Sequence, residues 1–298
     1  MRLTDRRILP RLEDKEEYLY VEKALIEQDD SSICIIQGDK TTPVPICSLA
    51  CLILGPGTTI THRAIQAVTE SRCILIWSGD NLRTFYATGF EKDRTSQNIL
   101  KQVEHYSDKE KHLQVVRKMY GMRFKDMKTD GLTLEQMRGI EGLRMKEIYQ
   151  NYSRQIGVQW DGRRYNPGKF TEQSIVNQLL TVGNQLLYNI CRGAIYTLGY
   201  TPAIGFIHTG HMDSFVYDLA DLYKTDIVIP QAFSLAAKNV ADHKYMRIKC
   251  HERMKEIKLL KQISKDIDYL FGEAGDGYST GLWDIDGVSE MGKNYGDH

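Results

Sequence analysis

The sequence predicts an α+β chain: a small N-terminal β-sandwich-like domain over residues 1–90, then a larger all-α domain over residues 91–270. Three observations carry that expectation. The first ninety residues hold several short apolar, β-branched runs punctuated by Gly, Pro and Asp, the spacing of a small sandwich or rolled sheet. From about Glu91 the texture changes to long charged segments at helical period. With 298 residues, 42% hydrophobic and 26% charged, the chain can bury a core large enough for two domains. Residues 271–298, rich in Gly and Asp, read as an acidic tail that is poorly ordered unless a partner holds it.

Taken in order, Tyr18–Glu27 reads as one strand and Ser32–Gln37 as a second, closed by the turn Gly38-Asp39-Lys40. Val44–Ser48 and Leu49–Leu54 follow, and Gly55-Pro56-Gly57 stops them. His62–Ser71 has the pattern of one short helix, Cys73–Trp77 that of a buried strand, and Leu82–Ala87 that of a further strand after the turn Ser78-Gly79-Asp80-Asn81. Gln97–Phe124 is amphipathic and charged. Leu132 to about Ser153 is a second helix, with Thr133 as N-cap and Gln136 three residues on, a capping box. Thr171 to about Leu198 carries little charge and predicts the buried centre of the helical domain. Ala203–Lys224 begins apolar and extended, bends at Gly210 and turns helical at Ser214. Ala232–Val240 and a basic helix from about Lys244 to Leu270 complete the folded part.

No apolar run approaches the roughly 20 residues of a transmembrane helix, and the N-terminus lacks the apolar core of a secretory signal. A cytoplasmic location is the expectation. Six cysteines without a C-x-x-C pair, most of them in apolar runs, predict reduced, buried thiols rather than a zinc site. The formal net charge of zero hides an asymmetry. Lys244–Lys265 has eight Lys or Arg against two Glu, a balance of +6, and Lys111–Lys128 has six against Asp126, a balance of +5. Asp266–His298 has eight acidic residues against Lys293, a balance of −7. Basic blocks are usually solvated helix faces; together with an acidic tail they also suit a polyanion partner.

The chemistry concentrates in Ala203–Lys224. His208 lies just before the bend, and Asp218 and Asp221 share a helix whose other face carries Phe215, Leu219 and Leu222. An imidazole beside carboxylates on rigid elements is a divalent-metal pattern and suits Mn²⁺ or Mg²⁺. Asp218 is either a support for a ligand or a helix charge. His208-Thr-Gly-His211 is a weak zinc signal, since it spans a glycine in a loop; His211 reads better as a phosphate contact or a surface residue. Upstream, Glu141 lies mid-helix between Gly139 and Gly142. Each glycine costs about 1 kcal/mol relative to Ala there, which predicts close approach of a backbone or ligand beside the carboxylate. Arg138, Arg144 and Lys146 surround it, so an exposed glutamate paired with those bases is the alternative.

Four motifs in this order resemble one family. Arg138-Gly-Ile-Glu-Gly142, Asp161-Gly-Arg-Arg-Tyr165, Pro202-Ala-Ile-Gly-Phe-Ile-His-Thr-Gly210 and Ser214-Phe-Val-Tyr-Asp-Leu-Ala-Asp221 look like the integrase and endonuclease of the CRISPR adaptation module, in its type I-E branch. The resemblance runs from about residue 15 to about residue 270. It implies an N-terminal domain for dimerisation and DNA-end contact and a metal-dependent catalytic helical domain. It implies Glu141, His208 and Asp221 as ligands of Mg²⁺ or Mn²⁺, with Asp218 supporting them. The implied partners are DNA (a splayed duplex and the CRISPR repeat), a second copy of the chain, and a small second adaptation protein. The implied reaction is attack of a captured fragment's 3′-hydroxyl on a phosphodiester at the repeat border.

DNA contacts are expected from Arg138, Arg163, Arg164 and Lys224 and from stacking of Tyr165 and Tyr188 on unpaired bases; the resemblance implies a further contact from Arg247 on the basic helix. The resemblance adds Tyr20 as a candidate duplex wedge, Arg83 as a late contact in the β-domain, and His211 where the family carries a lysine. The acidic tail departs from the family's Pro-rich one. Three other readings stand beside this: a non-catalytic DNA-binding scaffold, a metal-dependent phosphodiester hydrolase acting on other nucleic acids, and a metal hydrolase of small phosphoesters. The acid–His–acid set disfavours the first, and the extended basic helices disfavour the last.

Overall fold

The computed structural model describes residues 17–30, 32–71, 73–79, 84–89, 96–163 and 167–272. Arg83, Arg164, Tyr165 and the acidic tail beyond Gly272 lie outside the described residues. The expected α+β order holds, strands first and helices after.

The strands make two four-stranded sheets. The first runs β1 (Glu17–Val21), β5 (Leu49–Leu54), β7 (Ile74–Ser78), β8 (Phe85–Gly89); the second runs β4 (Lys40–Pro45), β3 (Ser32–Gln37), β2 (Leu25–Asp29), β6 (Thr59–Ile60). The single strand expected over Tyr18–Glu27 is instead two, β1 and β2, in different sheets. Lys23 adopts a left-handed φ of 51°, which no strand continues through, and its N–H donates to Pro56 O at 3.0 Å. β1, β5 and β7 pair in parallel. That arrangement explains their near-continuous apolar runs, since both faces of a parallel sheet are covered. The helix α1 (His62–Glu70) supplies the crossover, capped by the Thr61 side chain accepting from Ala64 N.

β5 is buried at every position, and its alternating side chains enter two different cores. Leu52 and Leu54 join Ile26, Ile33, Ile35 and Val68 between the two sheets and α1. Cys51 and Ile53 face the other way, into the core of the helices. The thiols do not all follow the expectation of burial: Cys47 is exposed and Cys34 half-buried, while Cys51, Cys73, Cys191 and Cys250 are buried.

Two helices expected as single are broken, each by an identifiable residue. Gln97–Phe124 divides into α2 (Gln97–Ser107) and α3 (Lys109–Arg123) because the Asp108 carboxylate accepts from Glu110 N and Lys111 N, both at 2.9 Å, and starts a new helix. The basic helix divides into α9 (His243–Glu256) and α10 (Leu259–Phe271) at Lys258, whose φ is 50°. α4 (Leu134–Ile156) has the predicted capping box, with both reciprocal bonds between Thr133 and Gln136 present. α5 (Ile175–Thr197) is the buried centre as expected; it starts at the Ser174 cap after a 3₁₀ turn over Pro167–Glu172. α6 (Ser214–Asp221) and α8 (Ile229–Ala237) pack against it, with the short α7 (Lys224–Ile227) joining them. Arg192 of α5 lies 4.2 Å over the Phe85 ring of β8 and donates to Asp213 Oδ1 and Oδ2 at 3.1 and 2.9 Å. The first sheet is thereby tied to the residue that opens α6. No helix among the described residues is long and apolar enough to cross a membrane.

Candidate metal and nucleic-acid site

The segment 201–213 is not extended, as its apolar start suggested; it is a series of turns and bends wound around one carboxylate. Asp218, buried on α6, accepts from Phe206 N at 2.5 Å, Ile207 N at 3.0 Å and His208 N at 2.8 Å. With their N–H groups drawn onto a side chain, these residues have none to give a strand ladder. Asp218 also meets His208 Nδ1 at 2.8 Å. It is therefore neither a solvent-facing helix charge nor a free ligand: it folds the loop and orients the imidazole, leaving Nε2 for the cleft. Gly210, at φ +83°, makes the expected bend.

Gly205 permits this winding. A Cβ there would lie 2.7 Å from Ser214 C and Cβ and closer still to His208 O, all fixed by the turn. Gly205→Ala is expected to cost about 2–3 kcal/mol as an overpacked site, read as a lower urea midpoint with an unchanged slope; an unchanged midpoint would refute the tight winding.

Glu141, on α4, has 16% of its side chain exposed, and its partners come from α3. Tyr120 Oη donates to Oε2 at 2.8 Å, and Arg123 Nη1 donates to Oε1. Burial and this bond to Glu141 push the Tyr120 phenol far above its usual range. The alternative of a glutamate paired with its helical neighbours gives way to these α3 partners, and two of the three neighbouring bases are engaged elsewhere. Arg144 pairs with Asp126 at 2.6 and 2.9 Å, and Arg138 donates to Ile207 O. The approach of another backbone expected beside Gly139 and Gly142 is not seen among the described residues: no atom of another segment lies within 4 Å of either Cβ position.

Asp221 closes the set. Arg123 Nη1 reaches its Oδ2 at 3.3 Å, and the Lys224 ammonium lies against its Oδ1. Oδ1 is buried and has no aligned hydrogen bond. Burial alone would raise this carboxyl; Lys224 and Arg123 outweigh it and hold it below the usual range. For Lys224, burial would lower the ammonium, but the Asp221 charge raises it above the usual lysine value.

Two clefts meet here. One, of about 540 Å³, is lined by Arg138, Glu141, Ile207, His208, Thr209, His211 and Tyr217. The other, of about 440 Å³, includes Arg123, Tyr149, Arg163, Tyr188, Tyr217, Asp221 and Lys224. Glu141 and His208 thus face one cleft, Asp221 the other, and Tyr217 borders both. Arg123 links the two acids. Among the described residues no three His, Cys, Asp or Glu side chains converge closely enough to hold a metal ion. The donor chemistry still fits Mg²⁺ or Mn²⁺: two carboxylates and an imidazole with Nδ1 already bound, and one carboxylate oxygen buried without an aligned donor.

The other residues singled out for DNA are largely engaged. The Lys224 ammonium sits 4.8 Å over the Tyr188 ring, and Tyr188 meets Tyr217 edge-on at 5.1 Å. Arg163 donates to Asn177 O and Oδ1 at 3.2 and 3.0 Å and to Thr181 Oγ1 at 3.0 Å, fastening its loop to α5. Arg247 lies 4.9 Å over the Tyr20 ring, and Tyr20 Oη donates to Glu22 at 2.8 Å. His211 is exposed; its Nδ1 accepts from Asp213 N at 3.1 Å, and the ring lies 5.3 Å from Tyr217. Arg123, Tyr120 and Tyr217 are the site residues that sequence reasoning missed. Arg123 was counted in a basic block, and nothing local separates it from Arg117 or Lys118.

The family model for CRISPR associated protein Cas1 matches residues 18–130 and 125–265. A CRISPR-associated endonuclease Cas1 of Thermus thermophilus is 39% identical over 300 residues, 97% of this chain and 92% of the relative. The CRISPR-associated endonuclease Cas1 of Escherichia coli K12 is 35% identical over 256 residues, 85% of this chain and 83% of that one. A crystal structure of a TtCas1–DNA complex superposes with a TM-score of 0.69 at 40% identity, covering 89% of this chain and 100% of that chain. A casposase bound to its integration product shares the fold, with a TM-score of 0.66 at 14% identity. The chain belongs to the Cas1 family of CRISPR-associated proteins.

Proposed function

We propose that this chain is a metal-dependent DNA integrase and endonuclease of CRISPR adaptation, and that Glu141, His208 and Asp221 hold its Mg²⁺ or Mn²⁺. The observation that carries this is the gathering of Glu141 and Asp221, from two different helices, onto one shared cation, with His208 facing the same cleft as Glu141. When bound, the divalent ion supplies Lewis-acid polarisation of the attacked phosphate and stabilises the attacking oxygen in its deprotonated form. The protein's own part is positional. Asp218 keeps the His208 ring turned with Nε2 outward, and Tyr120 fixes the rotation of Glu141. Arg138, Arg123 and Lys224 set positive charge around the acids, where phosphate oxygens must come.

The reaction is a transesterification. The 3′-oxygen of a captured fragment forms a bond to phosphorus at the repeat border, the old bond to the leaving 3′-oxygen breaks, and the hydroxyl proton passes to that oxygen through solvent. Water in place of the 3′-hydroxyl gives cleavage. The open flank beside Gly139 and Gly142 is where we place the closest approach of the strand, and His211 is placed at a neighbouring phosphate. The type I-E branch, a homodimer bound to the small second adaptation protein, and a cytoplasmic location complete this reading.

The bridging of the carboxylates by Arg123 favours one other reading, a DNA-binding scaffold whose metal site is closed. One assay separates them: the chain, its small partner, a splayed duplex with 3′-hydroxyls, supercoiled array plasmid and Mn²⁺. Joined product is expected; its absence with DNA binding intact favours the scaffold. Binding of the splayed duplex is expected to weaken at least about tenfold between 50 and 200 mM salt, and a flat response would count against both readings.

A further inference from the structure

Each carboxylate oxygen of the two acids lies against a donor or a cation, though Asp221 Oδ1 has no aligned hydrogen bond. Glu141 Oε2 accepts from Tyr120, Glu141 Oε1 and Asp221 Oδ2 both take Arg123 Nη1, and Asp221 Oδ1 lies against Lys224. Three of these four contacts are with cations. Arg123 is 5% exposed, its guanidinium lies 5.2 Å from the Phe124 ring, and its Nε is buried without a partner. It is thus held in place chiefly by the acids themselves. Two buried carboxylates brought together without a cation would repel each other, so a neutralising group is required whenever the metal is away.

We infer that Arg123 is the resident counter-cation of the metal-free site, and that it must give up Glu141 Oε1 and Asp221 Oδ2 before those oxygens can ligate a divalent ion. This rests on the metal-site reading above. The physical ground is exclusion: one guanidinium nitrogen occupies the inward oxygens of both carboxylates, and a dication seeking the same oxygens meets a like charge at contact distance. Metal binding then carries the cost of moving Arg123, and the intrinsic affinity of the acids for metal is masked. Arg123 already lines the cleft that holds Tyr188 and Lys224, and that cleft is where the freed guanidinium turns. Arg123 acts here as a positioning residue.

The test is metal affinity of the full-length, DNA-free protein, read from the free Mn²⁺ signal by electron paramagnetic resonance. Arg123→Gln is expected to bind Mn²⁺ at least tenfold more tightly than wild type, about 1.4 kcal/mol. A purely structural role could only weaken binding, so unchanged or weaker affinity in a folded variant overturns the inference. Arg123→Lys keeps a charge but replaces the planar guanidinium with a point charge on a flexible stem, and should tighten binding by about threefold. If Arg123→Gln does not fold, Arg123→Lys decides by the same criterion. Glu141→Gln in the wild-type background separates the two levels. If no chain binds Mn²⁺, or if Glu141→Gln binds it as well as wild type, the metal-site reading itself falls. If wild type binds Mn²⁺ through Glu141 and the Arg123 variants bind no tighter, the role of Arg123 alone falls.

Discussion

His208→Ala is expected to lower strand joining and cleavage in Mn²⁺ by at least about a hundredfold. Loss of a group that merely orients a ligand costs about 10–100-fold in metal affinity, and removal of the ligand belongs at or beyond the top of that range. The fold should survive, because the ring is 43% exposed and Asp218 keeps its three backbone donors. The pH dependence gives a second reading. The hydrogen bond that His208 donates to Asp218 raises the His208 pKa against the effect of burial, with help from the charge of Asp221. A raised folded value means that the imidazolium stabilises the metal-free chain fully below the ordinary histidine pKa, and that this is lost as pH rises through the folded value. Metal takes the neutral ring, so Mn²⁺ affinity should move the other way and fall as pH drops through the same window. Stability without metal and affinity for metal should thus run in opposite directions in wild type, and both should flatten in His208→Ala. Activity near wild type in that variant would remove His208 from the site.

Asp218→Ala is expected to be the most damaging substitution for stability near the site. It orphans the N–H groups of Phe206, Ile207 and His208 in one stroke. A buried donor left unsatisfied costs about 1–3 kcal/mol. Partial relaxation of the loop still leaves a loss of about 3 kcal/mol or more, a fall of about 5 °C or more in thermal midpoint for a chain of this size. Activity should fall with it, since His208 Nδ1 loses its partner and the ring its orientation. Asp218→Asn retains an acceptor oxygen but turns an amide N–H₂ towards N–H donors, and is expected to lie between the two. A calorimetric midpoint for Asp218→Ala equal to wild type would show that the loop does not depend on this carboxylate.

Much of the architecture is legible in the sequence because it is local. β3 and β5 have their predicted bounds, and the capping box of Thr133 and Gln136 marks the start of α4 within four residues of chain. Breaks are harder to read. Lys23 and Lys258 turn left-handed without a glycine to announce it, and Asp108 looks like any charge on an amphipathic helix until its carboxylate is seen to cap α3. The site divides along the same line. His208, Asp218 and Asp221 lie close in sequence and could be grouped from their spacing. The environment of Glu141 could not, because Tyr120 and Arg123 come from a preceding helix, 21 and 18 residues away. The resemblance named Glu141, His208 and Asp221 together. It gave no sign that a guanidinium bridges the two acids.

The two-faced burial of β5 has a consequence for any attempt to take the chain apart. Leu52 and Ile53 are joined by one peptide bond, yet they belong to separate interiors, one walled by α1 and the second sheet, the other by α5. The strand is a shared partition. Separating the first ninety residues from the rest would expose Ile53, Ile74 and Ile76 on one piece and an apolar flank of α5 on the other. Neither half is a portable module, and a substitution in the partition is felt in whichever interior its side chain enters. A methyl group trimmed from Leu52 and one trimmed from Ile53 would therefore loosen different halves of the molecule.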